Sequence, residues 1–86
     1  MERYRVLIKP SAAGELEEVL PLKDRRKIAA KIPALAGDPR PPGCVKLSSE
    51  EKYRLRHRHF RIVFSIDEAD QSVLVVKIAQ RKEVYR

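Results

Sequence analysis

Two alternating segments near the middle of the chain constrain the fold most. Residues 52–57 (KYRLRH) and 60–67 (FRIVFSID) each alternate apolar with polar side chains. This period of two predicts β-strands with one buried face. Because only two residues separate the segments, we predict an antiparallel hairpin with a tight turn. A two-residue turn places Arg56 opposite Arg61, and this register is predicted because it turns the apolar sets of both strands to the same side.

That register gathers positive charge on the other face of the hairpin. The face carries four cations and no carboxylate among them, and we call these residues the basic ladder: Lys52, Arg54, Arg56 and Arg61. Like charges directly opposite each other destabilise a sheet. The ladder therefore predicts either a compensating carboxylate or an anion-binding site. The alternative is that the four cations simply face solvent and bind nothing, and the ladder alone does not exclude it.

The first third of the chain predicts one strand and the start of a helical hairpin. Residues 4–9 suit a strand that ends at Pro10. Ser11 can cap the following helix, with Glu15 inside its first turn. The apolar residues of this first helix are expected on one face: Ala12, Leu16, Val19 and Leu20.

Beyond Pro21, a second helix is predicted from about Leu22 to Leu35, because apolar residues recur there at helical spacing. Pro33 should kink or shorten this helix. Residues 37–43 (GDPRPPG) predict a loop, since they offer neither helix nor strand.

The remaining segments complete an α+β pattern. Residues 45–47 are expected to form a short strand or an extended lead-in, and residues 72–78 a central strand covered on both faces. The order β-α-α-β-β-β predicts a helical hairpin packed on a mostly antiparallel four-stranded sheet. We expect residues 1–86 to form a single domain.

The charge balance limits the class of partner. Nineteen Lys and Arg against twelve Asp and Glu give a net charge of +7, which favours a polyanion such as nucleic acid, an acidic protein or an anionic membrane surface. Since no stretch resembles a signal peptide or a membrane span, we expect a cytoplasmic protein. One cysteine, Cys44, excludes an intrachain disulfide, and with only two histidines we predict no metal site and no cofactor.

RNA cleavage is one chemistry that such cations can support. Without a metal it needs a base for the attacking 2′-hydroxyl, a donor for the leaving 5′-oxygen, and cations on the phosphorane oxygens. Lys52 among arginines is a candidate base, because neighbouring like charge favours its neutral form. No histidine or carboxylate lies plainly on this face, so residue-level reasoning leaves an RNA-binding module and a nuclease equally open.

The end of the chain adds further cations: Arg81, Lys82 and Arg86. Tyr85 stands among them, and cations interleaved with an aromatic ring suit phosphates beside a stacked base. An ordinary surface or packing role for Tyr85 is the equally weighted alternative.

The sequence resembles the RelE/ParE toxin superfamily, and specifically its RelE branch, over essentially all 86 residues. The matching segments are Tyr4-Arg5-Val6, Pro10-Ser11-Ala12, residues 38–43 (DPRPPG) leading into Lys46-Leu47, residues 53–56 (YRLR), residues 60–67 and the closing residues 80–86 (QRKEVYR). The resemblance implies a toxin of a type II toxin–antitoxin system that cuts mRNA in the ribosomal A site by 2′-hydroxyl attack. Its implied partners are a cognate antitoxin, mRNA on the ribosome and ribosomal RNA.

The resemblance also implies residue roles. Catalytic roles are implied for Lys52, Arg54, Arg61, Arg81 and Tyr85, with Arg61 at the transition state, Arg81 as the acid and Tyr85 orienting or stacking. RNA binding is implied for Arg56, Lys82 and Arg86. Many relatives carry a histidine where Gln80 stands, and glutamine cannot transfer a proton at neutral pH. Any cleavage here must therefore rely on Arg81 and the lysine.

Two alternatives accompany this interpretation. One is a gyrase-inhibiting toxin of the ParE branch, with the same fold and no nuclease chemistry. The short helical hairpin and the residues Arg61, Arg81 and Tyr85 favour the nuclease over it. The other is a catalytically inactive relative that binds RNA or an antitoxin, which Gln80 keeps open.

Overall fold

Five strands and two helices occur in the described part of the chain, residues 3–47 and 51–80 of a computed structural model. They are β1 (Arg5–Ile8), α1 (Pro10–Glu17), α2 (Leu22–Ala34), β2 (Val45–Leu47), β3 (Lys52–His57), β4 (Phe60–Asp67) and β5 (Ser72–Gln80). The predicted α+β class and element order are confirmed. The predicted count of four strands is wrong by one, because β2 pairs with β3 instead of serving as a lead-in.

The sheet has the strand order β1-β5-β4-β3-β2. Strand β1 is parallel to β5, and the other neighbours are antiparallel. β5 is an interior strand between β1 and β4, although the middle strand of the five is β4. The expectation that both faces of β5 are covered is wrong. Val73 and Val75 are fully buried, whereas Leu74 is half-buried and Lys77 is exposed. The helices cover one face, and the outer side chains of β5 are shielded mainly by their neighbours in the sheet.

Helix α1 begins earlier than predicted. Pro10 occupies the start of the helix, where its missing N–H is no loss and its fixed φ suits the first turn. Ser11 therefore lies inside the helix and caps nothing, and Glu15 lies beyond the first turn. Leu20 is 67% exposed, because α1 ends at Glu17 and its periodicity does not reach that far.

Helix α2 matches its predicted bounds within a residue. Pro33 lies in the last turn, and the helix ends one residue later, so the proline terminates the helix without bending its middle. The core lies between the helices and the inner face of the sheet. It contains Ala12, Val19, Ile28, Ile32, Leu35, Tyr53, Leu55, Phe60, Ile62, Phe64, Ile66, Val73, Val75 and Ile78. Neither helix is long and apolar enough to cross a membrane.

A polar network holds the predicted loop of residues 37–43 against the sheet. Arg40 donates to the Tyr53 hydroxyl from Nε and Nη2 at 3.3 and 3.2 Å. Its Nη2 also lies 2.6 Å from Glu68 Oε2, and Tyr4 donates to Glu68 Oε1 at 2.6 Å. The hydrogen bonds with Tyr53 and Glu68 raise the pKa of Arg40. The loop is thus tied to the β4–β5 turn, at the end of the sheet opposite to the β3–β4 turn.

Candidate nucleic-acid interface

The β3–β4 hairpin has the predicted register. Its Cα partners are His57 with Phe60, Arg56 with Arg61, Leu55 with Ile62, Arg54 with Val63, and Tyr53 with Phe64. The apolar members of the inward set are buried beneath the helices. The four cations of the basic ladder therefore share the outer face, as predicted.

The ladder is an extended row with one close pair. Arg56 and Arg61 are direct cross-strand partners, which places their Cβ atoms about 5 Å apart. Along β3 the cations are two residues apart, about 6.6 Å per step, so Lys52 lies about 13 Å from Arg56. Arg54 is between them. Only long side chains reaching toward Arg54 could bring all four charges to one ligand.

No carboxylate compensates the arginines of the ladder within residues 3–47 and 51–80. The ion pairs there involve other cations: Arg5, Arg40, Lys46, His57, Arg58 and Lys77. The side chain directly across from Arg61 on β5 is Ala79, which is small and apolar. The described residues therefore supply no compensating carboxylate for Arg56 opposite Arg61, and an anion site and a solvated face remain as the alternatives.

Arg54 carries a buried donor on the ladder face. Its Nε atom is buried and has no hydrogen-bond partner in the described part of the chain. The reason is local, since its neighbours across the sheet are Val45 on β2 and Val63 on β4, and neither side chain offers an acceptor. An unpaired buried donor costs about 1–3 kcal/mol. Because this atom is enclosed, a phosphate or carboxylate oxygen would pair with it through a charge-assisted hydrogen bond only after the Arg54 side chain rotates toward the surface.

The closing segment lies outside the described residues, and with it the predicted site residues Arg81, Lys82, Tyr85 and Arg86. The last described residue, Gln80, pairs with Phe60, and Ala79 pairs with Arg61. The described part of β5 therefore ends at the same end of the sheet as the Arg56–Arg61 pair.

A buried carboxylate near the hairpin turn was not predicted. Asp24, in the first turn of α2, is 2% exposed. Its Oδ1 lies 3.2 Å from His57 Nε2 and 3.7 Å from Arg58 Nε. Since a carboxylate only accepts, His57 donates through Nε2. An acid in a first helical turn is ordinary for the helix dipole, and no spacing rule links residue 24 to residue 57, so this contact has no signal in the sequence.

The other histidine has a different environment. His59 is exposed, and its ring lies against Phe60 with centroids 4.5 Å apart. Among the described residues, no group of three or more His, Cys, Asp or Glu side chains is placed to hold a metal ion.

Glu15 covers the edge of β5 that continues past the end of β1. Its Oε1 accepts the Ile78 backbone N–H at 2.8 Å, and its Oε2 accepts from Lys77 Nζ at 2.9 Å. Burial raises the pKa of Glu15, but these hydrogen bonds and the Lys77 charge together outweigh it and leave that pKa below its ordinary value. At this edge the protein supplies its own anion to the donors of β5.

The fold is similar to that of toxins in solved structures. A chain of the toxin–antitoxin complex RelBE2 from Mycobacterium tuberculosis matches with a TM-score of 0.79 and 19% identity, covering 94% of both chains. A chain of the archaeal RelE–RelB complex from Pyrococcus horikoshii matches with a TM-score of 0.77 and 21% identity, covering 92% of this chain and 96% of that one. The YoeB/ParE toxin from Agrobacterium tumefaciens matches with a TM-score of 0.73 and 16% identity, covering 88% of this chain and 96% of that one.

Sequence comparison assigns the family. No curated protein matches the chain in sequence. The family model described as the ParE toxin of the type II toxin–antitoxin system parDE matches residues 6–85, which is nearly the whole chain and agrees with the RelE-like fold. The chain therefore belongs to the ParE toxin family of type II toxin–antitoxin systems, within the RelE/ParE superfamily.

Proposed function

We propose that this toxin is an endoribonuclease of the RelE type, which cleaves mRNA in the A site of the translating ribosome. The observation that carries the proposal is the buried Nε of Arg54, which has no hydrogen-bond partner among the described residues, on a face where none of their carboxylates pairs with Arg56 or Arg61. Such an arrangement is costly in the free protein. A backbone phosphate would satisfy the donor and screen the repulsion at once, and this supports a nucleic-acid ligand for the ladder.

The proposed reaction is an internal transfer at phosphorus. The 2′-oxygen attacks the adjacent phosphorus, the P–O5′ bond breaks, and the products are a 2′,3′-cyclic phosphate and a free 5′-hydroxyl. Lys52 accepts the proton of the 2′-hydroxyl, and Arg54 and Arg61 stabilise the charge on the phosphorane. Arg81 donates the proton to the leaving 5′-oxygen. No metal or cofactor takes part in this scheme.

The remaining cations have binding roles in this proposal. Arg56, Lys82 and Arg86 contact neighbouring phosphates, and Tyr85 stacks on or orients a base. Gln80 takes no part in proton transfer, because an amide does not titrate near neutral pH. The toxin acts in the cytoplasm, where the ribosomes are.

The proposed protein partner is an acidic antitoxin segment that covers the ladder. Two of the similar structures are complexes of a RelE-type toxin with its antitoxin, and a charge of +7 on 86 residues favours an acidic counterpart. A partner that binds only the folded toxin raises its stability by mass action. Addition of the antitoxin encoded beside this chain should therefore raise the melting temperature and compete with RNA, and a partner that does neither would contradict this part.

Gyrase inhibition is the second candidate, because the matching family model is described as ParE. Two observations favour the nuclease. Helix α1 has only eight residues, whereas the ParE branch is expected to have a longer helical hairpin. The uncompensated arginines have no evident role in a toxin without phosphate chemistry.

The deciding experiment adds the purified chain to ribosomes programmed with a defined mRNA and maps the new 5′ ends. The same chain is assayed in parallel for inhibition of DNA supercoiling by gyrase. We expect cuts within the A-site codon, no cuts in free mRNA, and no effect on supercoiling. Arg81→Ala, which tests the closing segment, should abolish the cuts. Inhibition of gyrase without mRNA cuts would overturn the proposal in favour of the ParE alternative, and no effect in either assay would favour an inactive relative.

A further inference from the structure

Asp24 is a buried ionisable group that the proposed chemistry does not use. It is 2% exposed, and the groups it faces within 4 Å are His57 Nε2 at 3.2 Å and Arg58 Nε at 3.7 Å. Burying a carboxylate is costly unless hydrogen bonds and opposite charge compensate it. The His57 side chain is only 12% exposed, while that of Arg58 is 63% exposed. The histidine contact is therefore the stronger of the two, and the arginine contact is weakened by solvent.

These contacts are made at the end of the hairpin, where β3 has a neighbouring strand on one side only. Strand β2 pairs with β3 at residues 52–54, and among the described residues β4 alone flanks β3 beyond Arg54. Arg58 in the turn has a φ of 55°, a left-handed conformation that is unfavourable for a residue with a Cβ by about 1–2 kcal/mol. The repulsion between Arg56 and Arg61 acts at the same place. Through Asp24, α2 adds a restraint from outside the sheet at this end of the hairpin.

The restraint acts directly beneath the close pair of the ladder. His57 follows Arg56 in β3, and since successive side chains point to opposite faces, one reaches Asp24 while the other lies on the outer face. Phe60, the partner of His57, likewise precedes Arg61 in β4. A shift of the His57–Phe60 pair would move the backbone of both arginines together.

We propose that Asp24 is a positioning residue. By holding His57 and Arg58 on the inner face, it sets where Arg56 and Arg61 stand on the outer face when they receive a phosphate. The kinetic part of this inference rests on the proposed nuclease function. The structural part, a carboxylate on a helix that fixes the geometry of an arginine pair across the sheet, does not.

The main test is Asp24→Asn, which keeps the shape of the side chain and removes its charge. Misplacement of catalytic groups by about 1 Å can cost up to a hundredfold in rate. We expect kcat on programmed ribosomes to fall about tenfold to a hundredfold, with KM changed less than about threefold, since Arg54 and Lys52 still bind the substrate. Unchanged kcat in a folded Asp24→Asn variant would overturn the proposal.

Two His57 variants separate hydrogen bonding from space filling. His57→Gln retains an Nε2 donor that can reach Asp24, whereas His57→Phe fills the space and donates nothing. The glutamine variant should keep most of kcat and the phenylalanine variant should lose about as much as Asp24→Asn. Arg58→Gly removes the weaker contact but suits the positive φ, so it should have the smallest effect. Equal activity of the Gln and Phe variants would contradict the mechanism.

Glu15→Gln is the matched control for stability. Glu15 is also a partly buried acid that reaches from a helix to a strand, but it contacts β5 at Lys77 and Ile78, away from the hairpin turn. If activity merely followed stability, both variants would lose kcat in proportion to their loss of melting temperature. We expect Asp24→Asn to lose more kcat than its change in melting temperature explains, and Glu15→Gln to keep its kcat.

Amide hydrogen exchange over residues 55–62 gives a readout that does not depend on cleavage. Asp24→Asn should speed exchange there by about tenfold or more relative to the rest of the sheet, and Glu15→Gln should not. If the wild-type chain fails to cut mRNA, the proposed function fails while this measurement still decides the role of Asp24. Wild-type protection over residues 55–62 in Asp24→Asn would overturn the inference even in an active nuclease.

Discussion

The two faces of the β3–β4 hairpin come from one alternating pattern but differ in how the protein satisfies them. The inner side chains, such as Phe60 and Phe64, are buried against the helices and need nothing further. The outer side chains carry Arg56 directly opposite Arg61 and an unpaired buried donor on Arg54. Folding explains the first set completely. The second set is unfavourable in the free protein, and the proposed phosphate ligand would offset that cost.

The largest effect should come from the inner face. Phe64 is fully buried and its ring stacks on Tyr53, with centroids 5.9 Å apart. Phe64→Ala should lower the free energy of unfolding by about 3–5 kcal/mol, because it leaves a cavity in the core. Chemical denaturation measures this directly. A loss below about 1 kcal/mol would break the comparison, since the inner face would then not be the core.

Arg61→Ala tests the outer face, where we expect a large loss of cleavage and no loss of stability. Cleavage should fall about a hundredfold or more, equivalent to about 2.7 kcal/mol in the barrier, because a cation at the transition state is lost. Stability should be unchanged or slightly higher, since the repulsion from Arg56 is relieved. Single-turnover cleavage and thermal melting check the two statements. Arg61→Lys is the control, because it keeps the charge and loses the bidentate geometry.

An Arg61→Ala variant that unfolds would show that the residue belongs to the core after all. A fully active variant would instead place the reaction centre elsewhere on the molecule. Either result would remove the distinction between the two faces, the first from the side of folding and the second from the side of function.

What the sequence could predict depended on the range of the interaction. The hairpin register followed from a period of two with one buried face, because a slip of one residue would bury the cations of the ladder. The element order followed in the same way. Leu20 was misassigned because helical periodicity was extended past the true end of α1, and β2 was left undecided because three residues carry too little pattern.

The alternating pattern of β3 and β4 predicted one part of the candidate site, the basic ladder. The ladder could be listed residue by residue, since alternation fixes which side chains share a face. The contact between Asp24 and His57 could not be predicted, because it joins a helix and a strand that are distant in sequence. Alternation also could not predict that the Arg54 Nε is buried and has no partner among the described residues. That outcome depends on the side chains of the two flanking strands, Val45 and Val63.

Salt dependence should distinguish the two faces by charge. If about four ladder and closing cations each contact a phosphate, log affinity for ribosomes or single-stranded RNA should fall against log salt with a slope of roughly −3. Arg61→Ala should reduce that slope by about 0.7, and the inner-face variant Ile62→Val should leave it unchanged. Binding titrations from low to moderate salt give both numbers. A slope near zero would mean that the outer face is only solvated.

The smallest expected effect concerns Glu15. Its carboxylate accepts hydrogen bonds from the β5 edge, as a phosphate is proposed to accept them from the ladder. Its folded-state pKa lies below the ordinary value, so the folded protein favours the carboxylate. Its contribution to stability is therefore fully present above the unfolded pKa, near 4.3, and is lost as the pH falls through the folded value.

Glu15→Gln keeps an oxygen that can accept the Ile78 N–H and removes the charge that faces Lys77. The variant should be less stable than the wild type by about 1 kcal/mol at neutral pH, allowing for partial solvent exposure. This difference should shrink between about pH 5 and pH 3 and then vanish. Denaturation at a series of pH values measures it. A difference that persists at pH 3 would show that the charge of Glu15 is not what stabilises the edge. The contrast between an edge that carries its own anion and an arginine pair with none among the described residues would then lose its support.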